Sequence, residues 1–475
     1  MFPWLGQQAG DLWPSAHKQT PKECLVVCCL GLNIVWQPDE AIAKMANDMK
    51  IVIIGAGSAS FGRGMLADIL LEPFLNREDT EVWLVDTNQA ALEKMLGAAL
   101  RLKQERRSEI QFYSSVDRRQ ALPGADLVLI VVSVRRMELW EQDYRVPAAY
   151  GVRHVLGENG GPGAVFHTMR SLNLVVPICE DIERICPDAW VLNFTNPEAR
   201  VLHAMLHLTQ VKGIGLCHGV FWLEEYAARL LDVPLEQLEL TSAGMNHAFC
   251  AIRLVDKANG EDRLPELLEL VKESNDPTMP RLFQEFARVF GMIGFPSDDH
   301  VGEYFAFGSE FHGQKWAYGL ESRSVKDADS RGEVDRYLAG EAGIEDVLLG
   351  SGELAVPIMV ALNSSQPKRM SAVDILNDQG YVSNLPRDVI VEVPATVSVK
   401  GVEPIRVGPI NELFAVGLRT QYAIHGLLTE AYRTRKKELL LQALVLDPCM
   451  HSIRAARSIL DDMLELQKEY LPEFD

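Results

Sequence analysis

The spacing of apolar and polar positions changes character along the chain. From Lys50, short apolar runs rich in β-branched residues alternate with stretches of helical periodicity. "KIVIIGAG" is followed by a helical pattern over residues 62–71, and "EVWLVD" by another over 90–104. "ADLVLIVVS", "AWVLNFTNP" and "VKGIGLC" continue the series. Runs that are apolar on both faces read as buried strands, and strand–helix–strand units at this spacing predict a parallel sheet.

Beyond about residue 222 helical periodicity dominates, for example over 265–274 and 281–290. "VIVEVPATVSVKGVEPIRV", residues 389–407, predicts a hairpin turning near Gly401, and residues 413–471 read as helix. The expected fold class is therefore α/β. A Rossmann-like parallel-sheet domain over 49–222 precedes a mixed α+β domain over 223–475 that packs on it, the expected place of substrate and subunit contacts. This is the arrangement of lactate and malate dehydrogenases.

Residues 1–48 stand apart. Their one apolar run, 25–36, is too short to span a membrane, and no basic start or cleavage site marks a signal peptide. The expectation is an extension, disordered or derived from a mis-assigned start; the rival reading is a regulatory or targeting arm. A hydrophobic content of 47% and a charged content of 24% are those of a soluble globular protein, which gives no reason to expect a membrane partner. A net charge of −20 argues against nucleic acid, which demands a basic surface. Eight cysteines without framework spacing point to a reduced, cytoplasmic setting.

"GAGSASFG" places Gly55, Gly57, Ser58 and Gly62 between a strand and a helix. Glycines there allow a tight turn and let backbone N–H groups approach a pyrophosphate at the helix N-terminus. Asp86 closes the second strand, where a carboxylate bonds the adenosine ribose hydroxyls and repels a 2′-phosphate. The set favours NAD over NADP. Singly, each of these residues would only turn or cap the chain.

"GIGLCHGV" ends another strand with Cys217 and His218, on the edge of the sheet where ligands bind. "SAGMNHAFC" adds Asn246 and His247. Thiolate and imidazole suit Zn, Fe, Co, Ni or Mn. By spacing alone, a buried cysteine beside a satisfied histidine explains them more readily than a metal does.

Taken together, "KIVIIGAGSASFG", "YGVRHVLGENGGPGAVFHTMRSL", "VLNFTNPEA", "GLCHGV", "GMNHAF" and "VIVEVPATV…LDP" resemble glycoside hydrolase family 4, the NAD- and Mn-dependent glycosidases. The resemblance covers nearly all of residues 49–475. This family stands outside the usual two-carboxylate scheme of glycoside hydrolysis. The resemblance implies oxidation of the sugar at C3 by NAD, removal of the acidified C2 proton, elimination at C1, addition of water and return of the hydride. It implies a divalent ion, Mn2+ or else Co2+, Ni2+ or Fe2+, for the Lewis-acid work at the C2 and C3 oxygens. Cys217 and His247 match the family's metal ligands, and Asn196 in "TNP" matches the residue that orients the sugar hydroxyls. Asn246 and His300 are expected near the substrate. Relatives that act on phosphorylated sugars carry Asn or Asp where His218 stands, so a non-phosphorylated substrate is implied. For the base, "SDDHVGEYF" offers Asp298 or Asp299, with Tyr304 in reserve; His218 or a water would serve the leaving group.

Gly219 departs from the glucosidase-type and galactosidase-type patterns, which carry Glu and Ser there. The Cys-His-Gly form resembles an α-glucuronidase branch, with a wider pocket floor that leaves room for a C6 carboxylate. α-Glucuronidase therefore leads, with α-galactosidase, α-glucosidase and α-galacturonidase beside it, in a homodimer or homotetramer. The competing readings are a 2-hydroxy-acid dehydrogenase of the lactate/malate type, which leaves the Cys-His motif unexplained, and an NAD-sensing protein that has lost its chemistry.

Overall fold

The computed structural model describes residues 49–58, 61–312 and 332–475. The extension expected over residues 1–48 lies outside the described residues. β1 (Met49–Ile54) opens an 11-stranded sheet, and its residues face helices on both sides. Val52 and Ile54 pack into one core with the helices Gly163–Ile185, Glu198–Leu208 and Glu412–Thr434. Ile51 and Ile53 pack into a second core with Phe61–Leu71 and Gln89–Arg106. Alternate side chains of one strand thus feed two cores, which is why the strand is apolar throughout.

β2 (Thr80–Val85), β3 (Gln111–Ser115), β4 (Leu127–Ile130), β5 (Trp190–Asn193) and β6 (Lys212–Gly215) join β1 in the parallel order β3-β2-β1-β4-β5-β6. The sheet does not end at β6. It continues through β9 (Lys368–Leu376), β10 (Ile390–Ser398), β7 (Leu238–Met245) and β8 (Ala248–Asp256), with β11 (Gly401–Pro404) on β10. The second half therefore extends the first half's sheet, and the boundary expected at residue 222 falls inside the helix Gly219–Leu231. The hairpin expected at Gly401 is present, with Ser398 opposite Gly401. The β7–β8 hairpin was hidden by its sequence: "LELTSAGMNHAF" mixes small, polar and apolar residues without clean alternation, and burial on both faces removes the period-2 signal.

The halves join at one register pair, Gly215 opposite Asp374 between β6 and β9; within the second half, Gly244 stands opposite Glu392 between β7 and β10. No helix among the described residues is long and apolar enough to cross a membrane.

His203 lies between the helices Glu198–Leu208 and Glu412–Thr434, 5% exposed, with its ring bonded to Thr429 at 2.8 Å. Burial, and then the neighbouring His207, lower its pKa to about 4. The unfolded chain takes up this proton near pH 6.5 while the folded chain resists it, so stability is lost as the pH falls from about 6.5 through about 4. His203→Gln should shrink the difference in unfolding free energy between pH 7 and pH 5 by about 1–2 kcal/mol. An unchanged difference, measured by denaturant titration at both pH values, would remove His203 from the account.

Candidate active site

Every element of the candidate site lies at the carboxyl ends of the parallel strands or on a segment that folds over them. At the end of β1, Gly55 takes φ of 96°, and a Cβ there would lie 2.0 Å from the Val131 carbonyl oxygen. The Gly57 N–H donates to Asp86 Oδ2 at 2.9 Å, and the Asn88 N–H donates to Asp86 Oδ1 at 2.9 Å. The Gly62 N–H donates to the Ser58 carbonyl at 2.9 Å, and a Cβ on Gly62 would meet the Ala56 carbonyl oxygen at 2.5 Å. A tight turn, an open backbone and close helix–strand packing are what a pyrophosphate cradle needs. Asp86 binds the loop through the Gly57 amide, is steadied by the Asn88 amide of its own turn, and retains lone pairs for ribose hydroxyls. The residues present fit a dinucleotide.

β6 is followed at once by Cys217 and His218, and the β7–β8 hairpin delivers Asn246 and His247. Met245 pairs with Ala248, so Asn246 and His247 form the two-residue turn between them. His247 sits at φ of 63°, a left-handed conformation uncommon for a non-glycine residue. That turn brings His247 Nε2 to 3.3 Å from Cys217 Sγ. Ligand bonds of about 2.3 Å from sulfur and about 2.1 Å from nitrogen, at 90–110°, hold the two atoms about 3.1–3.6 Å apart. The pair therefore fits one divalent ion. Among the described residues no group of three or more His, Cys, Asp or Glu side chains is placed to hold a metal. An ion held here would keep open positions for substrate and water. Burial, with the Glu392 and Glu353 carboxyl groups, pushes the Cys217 thiol well above its ordinary value. A bound cation would reverse that preference.

Asn246 is 1% exposed, and its side-chain amide lies beside the buried Asp374 carboxyl group, countering part of the rise that burial gives that acid. Asn196 follows β5, the neighbour of β6 in the sheet, and its carbonyl accepts from the Ser171 hydroxyl at 2.6 Å. The His218 ring is half exposed and bonds Glu353 at 2.9 Å. Burial pulls its pKa down, but Glu353 outweighs that and leaves it raised.

The acidic pair divides. Asp298 accepts the Arg281 and Leu282 amides at 3.0 and 2.8 Å, so both of its oxygens cap the helix Arg281–Glu285. Asp299 instead faces the site: its Oδ1 lies 2.6 Å from His300 Nδ1 and also takes the Ser297 hydroxyl. The His300 ring meets His247 edge-on at 4.7 Å, with Trp222 and Phe295 each at 5.7 Å. Tyr304 is 3% exposed, and its hydroxyl donates to the Asn246 carbonyl at 3.2 Å. Burial, then Glu303, hold that phenol well above its usual pKa. Tyr304 therefore braces the hairpin turn.

The wider pocket floor expected at Gly219 is not there. A Cβ on Gly219 would meet the Phe249 and Phe295 rings at 3.3 and 3.4 Å, so the space is already filled by aromatic carbon. Sequence reasoning missed Glu353, Glu158 and Glu303, since each works on a segment far away in the chain. "GENGG" was on view as a motif but gave no hint of which carboxylate would meet it.

A sequence model described as "Family 4 glycosyl hydrolase" matches residues 50–233, and one described as "Family 4 glycosyl hydrolase C-terminal domain" matches residues 242–450. An α-glucosidase of Erwinia rhapontici is 31% identical, over 89% of this chain and 98% of its own length. An α-galactosidase of Bacillus subtilis is 28% identical, over 90% and 99%. Among solved structures, a 6-phospho-α-glucosidase from gut microorganisms in complex with NAD and Mn2+ superimposes with a TM-score of 0.77 at 22% identity, covering 90% of this chain and all of that one. The chain belongs to family 4 of the glycosyl hydrolases, and the hydroxy-acid dehydrogenase reading falls away.

Geometry separates the two aspartates by experiment. Asp298→Ala should lower the melting temperature through loss of a helix cap, at about 1 kcal/mol, while activity per folded molecule survives. Asp299→Ala should abolish glycoside hydrolysis with a smaller change in melting temperature. The opposite pattern would return Asp298 to the chemistry.

Proposed function

We propose that this chain hydrolyses α-glycosides of non-phosphorylated sugars with NAD and a divalent metal, Mn2+ foremost. The observation that carries this reading is the 3.3 Å approach of Cys217 Sγ to His247 Nε2, on the same sheet edge as the glycine loop. The two relatives described above are named α-glucosidase and α-galactosidase, names without a phosphorylated sugar, and His218 beside Cys217 favours the same class.

When bound, NAD supplies reversible oxidation of the sugar at C3, and the metal supplies Lewis-acid stabilisation of charge on the C2 and C3 oxygens. Gly55, Gly57, Ser58, Gly62 and Asp86 hold the dinucleotide. Cys217 and His247 hold the ion. Asn196, Asn246 and His300 orient the sugar hydroxyls; the place of Asn246 beside His247 in the β7–β8 turn supports its share of that work. Asp299 receives the C2 proton, with His300 and Ser297 fixing its orientation. His218, steadied by Glu353, stands ready to protonate the leaving group. We also read the protein as a cytoplasmic homodimer or homotetramer. The described cysteines Cys179, Cys186, Cys217, Cys250 and Cys449 are all free, and Leu413 and Val416 stand exposed on one long helix.

The direct test is a panel of p-nitrophenyl α-glucosides, α-galactosides, α-glucuronides and α-galacturonides with NAD, Mn2+ and reductant. Release of phenol that needs both NAD and metal is expected. Release from none of them, or release without NAD, would overturn the reading.

Asp86→Arg should weaken NAD and improve NADP, since it removes ribose hydrogen bonds and the repulsion of a 2′-phosphate, together on the order of 2–4 kcal/mol. Cofactor titration indistinguishable from the parent would displace Asp86 from the ribose.

Cys217→Ser should abolish turnover and leave NAD binding intact, because a serine hydroxyl is a far poorer ligand than a thiolate. Chelator and thiol oxidation should silence the parent, and Mn2+ with reductant should restore it. Full activity in folded, metal-free Cys217→Ser protein would remove the metal from the mechanism.

A further inference from the structure

The segment "GENGG", residues 157–161, runs past the site just before the helix Gly163–Ile185. Its chain is bent by left-handed glycines at both ends, Gly157 at φ of 70° and Gly161 at 76°. Between them the N–H groups of Glu158, Asn159 and Gly160 converge on one atom, Glu303 Oε2, at 2.8, 2.8 and 2.9 Å. Successive amides aimed at one point form an anion nest, and here the chain supplies its own carboxyl group. Glu303 is 1% exposed. The fit is tight, for a Cβ on Gly160 would lie 2.5 Å from the Glu303 carbonyl oxygen.

What the loop displays matters for the chemistry. The Glu158 carboxylate pairs with Arg136 at 2.7 Å, and the Glu158 carbonyl meets the His167 ring at 2.9 Å. The Glu158 charge also acts on His247. Asn159 is 2% exposed, and neither atom of its side-chain amide has a partner within the described residues. Glu303 itself belongs to the turn Val301–Tyr304, which directly follows Asp299 and His300. One side chain therefore joins the segment bearing Glu158 to the segment bearing Asp299 and His300, across His247.

We propose that Glu303 is a positioning residue for glycoside hydrolysis: it acts as a strut that holds Glu158 at a set distance from the Asp299–His300 pair. The proposal rests on the glycosidase reading of this site. Glu303 touches neither sugar nor cofactor; its effect passes through the loop.

Three measurements test it on the full chain with NAD and Mn2+. Glu303→Ala should lower kcat/KM per folded molecule by about 10- to 100-fold, the loss expected when a reacting group drifts by about an ångström. Glu303→Gln keeps an acceptor oxygen in place and should recover most of that loss. Glu158→Gln added to Glu303→Ala should cost little more than either alone, because both disable one device. Hydrogen exchange at the amides of residues 158–160 should accelerate in Glu303→Ala; this readout needs no substrate, so it stands even if the glycosidase reading fails. Should Glu303→Ala not fold, Gly160→Ala separates the same two surfaces from the loop side and should give the same loss. Parent-level kcat/KM in folded Glu303→Ala, losses from Glu158→Gln and Glu303→Ala that multiply, or unchanged exchange at those amides would each overturn the strut.

Discussion

The parallel and antiparallel parts of the sheet meet where glycine makes room for a carboxylic acid. At that junction Gly215 faces Asp374; farther into the antiparallel part Gly244 faces Glu392, and a Cβ there would meet the Ala248 carbonyl oxygen at 2.4 Å. A Cβ on Gly215 would fall 1.7 Å from Glu198 Oε1, so any other residue there would expel the acid or split the sheet. Three carboxyl groups are buried at this seam, Glu198, Asp374 and Glu392, each 1–2% exposed. Burial first, and then their mutual repulsion, raise Glu198 well above the usual range; burial does the same for Glu392 and lifts Asp374 to about 7. The acids can share the interior because they are not all ionised together. The seam also aims the site. Cys217 follows Gly215 by two residues and His247 follows Gly244 by three, so the strands that carry these glycines deliver sulfur and imidazole to one place.

Behind the site stands a rigid backing. Arg170, on the helix Gly163–Ile185, is 4% exposed and forms a two-pronged pair with Asp143 at 2.9 and 2.5 Å. Gln467, beyond the last helix, closes the network on both partners. Removing one member of such a pair strands a buried charge, at a cost of about 3–5 kcal/mol. The helix that carries Arg170 begins directly after the loop of residues 157–161. The loop's far end is thus fixed by an ion pair, and its tip is fixed by Glu303.

Much of this was legible in the residues. Apolar runs marked the strands β1, β2, β4, β5 and β6, and the glycine loop with Asp86 marked the nucleotide edge, because those features are local: a few consecutive residues contain the whole signal. The hairpin at Gly401 was legible for the same reason. Illegible were the features whose meaning depends on a distant partner. Nothing near Asp298 announces that the amides of Arg281 and Leu282 will claim it, leaving Asp299 to face the histidines. Nothing near Gly219 announces that Phe249 and Phe295 will fill the space its missing side chain leaves. Glu353 meets His218 across 135 residues, and Glu303 meets the loop across more than 140. A buried polar contact of that span is a property of the packed sheet and cannot be read from local spacing.

The stretch "DDHVGEY" shows how one short turn can serve several masters. Its first aspartate caps a helix, and its second orients His300. His300 then turns toward His247, Glu303 toward the loop amides, and Tyr304 toward the carbonyl of Asn246. The three side chains diverge because the turn Val301–Tyr304 is tight, with successive residues fanned around its axis. A group that takes a proton from carbon must be held still while its own proton remains exchangeable. A tyrosine whose hydroxyl is bonded to a buried carbonyl meets the first condition and fails the second. An aspartate hydrogen-bonded to a partly exposed imidazole meets both, because the imidazole holds its position and can pass the proton on toward water. The spatial division within this turn, with Tyr304 and Glu303 bonded to backbone groups of other segments and Asp299 and His300 turned toward His247, follows from which of its polar atoms the core has already claimed, and the proposed proton transfer uses what is left.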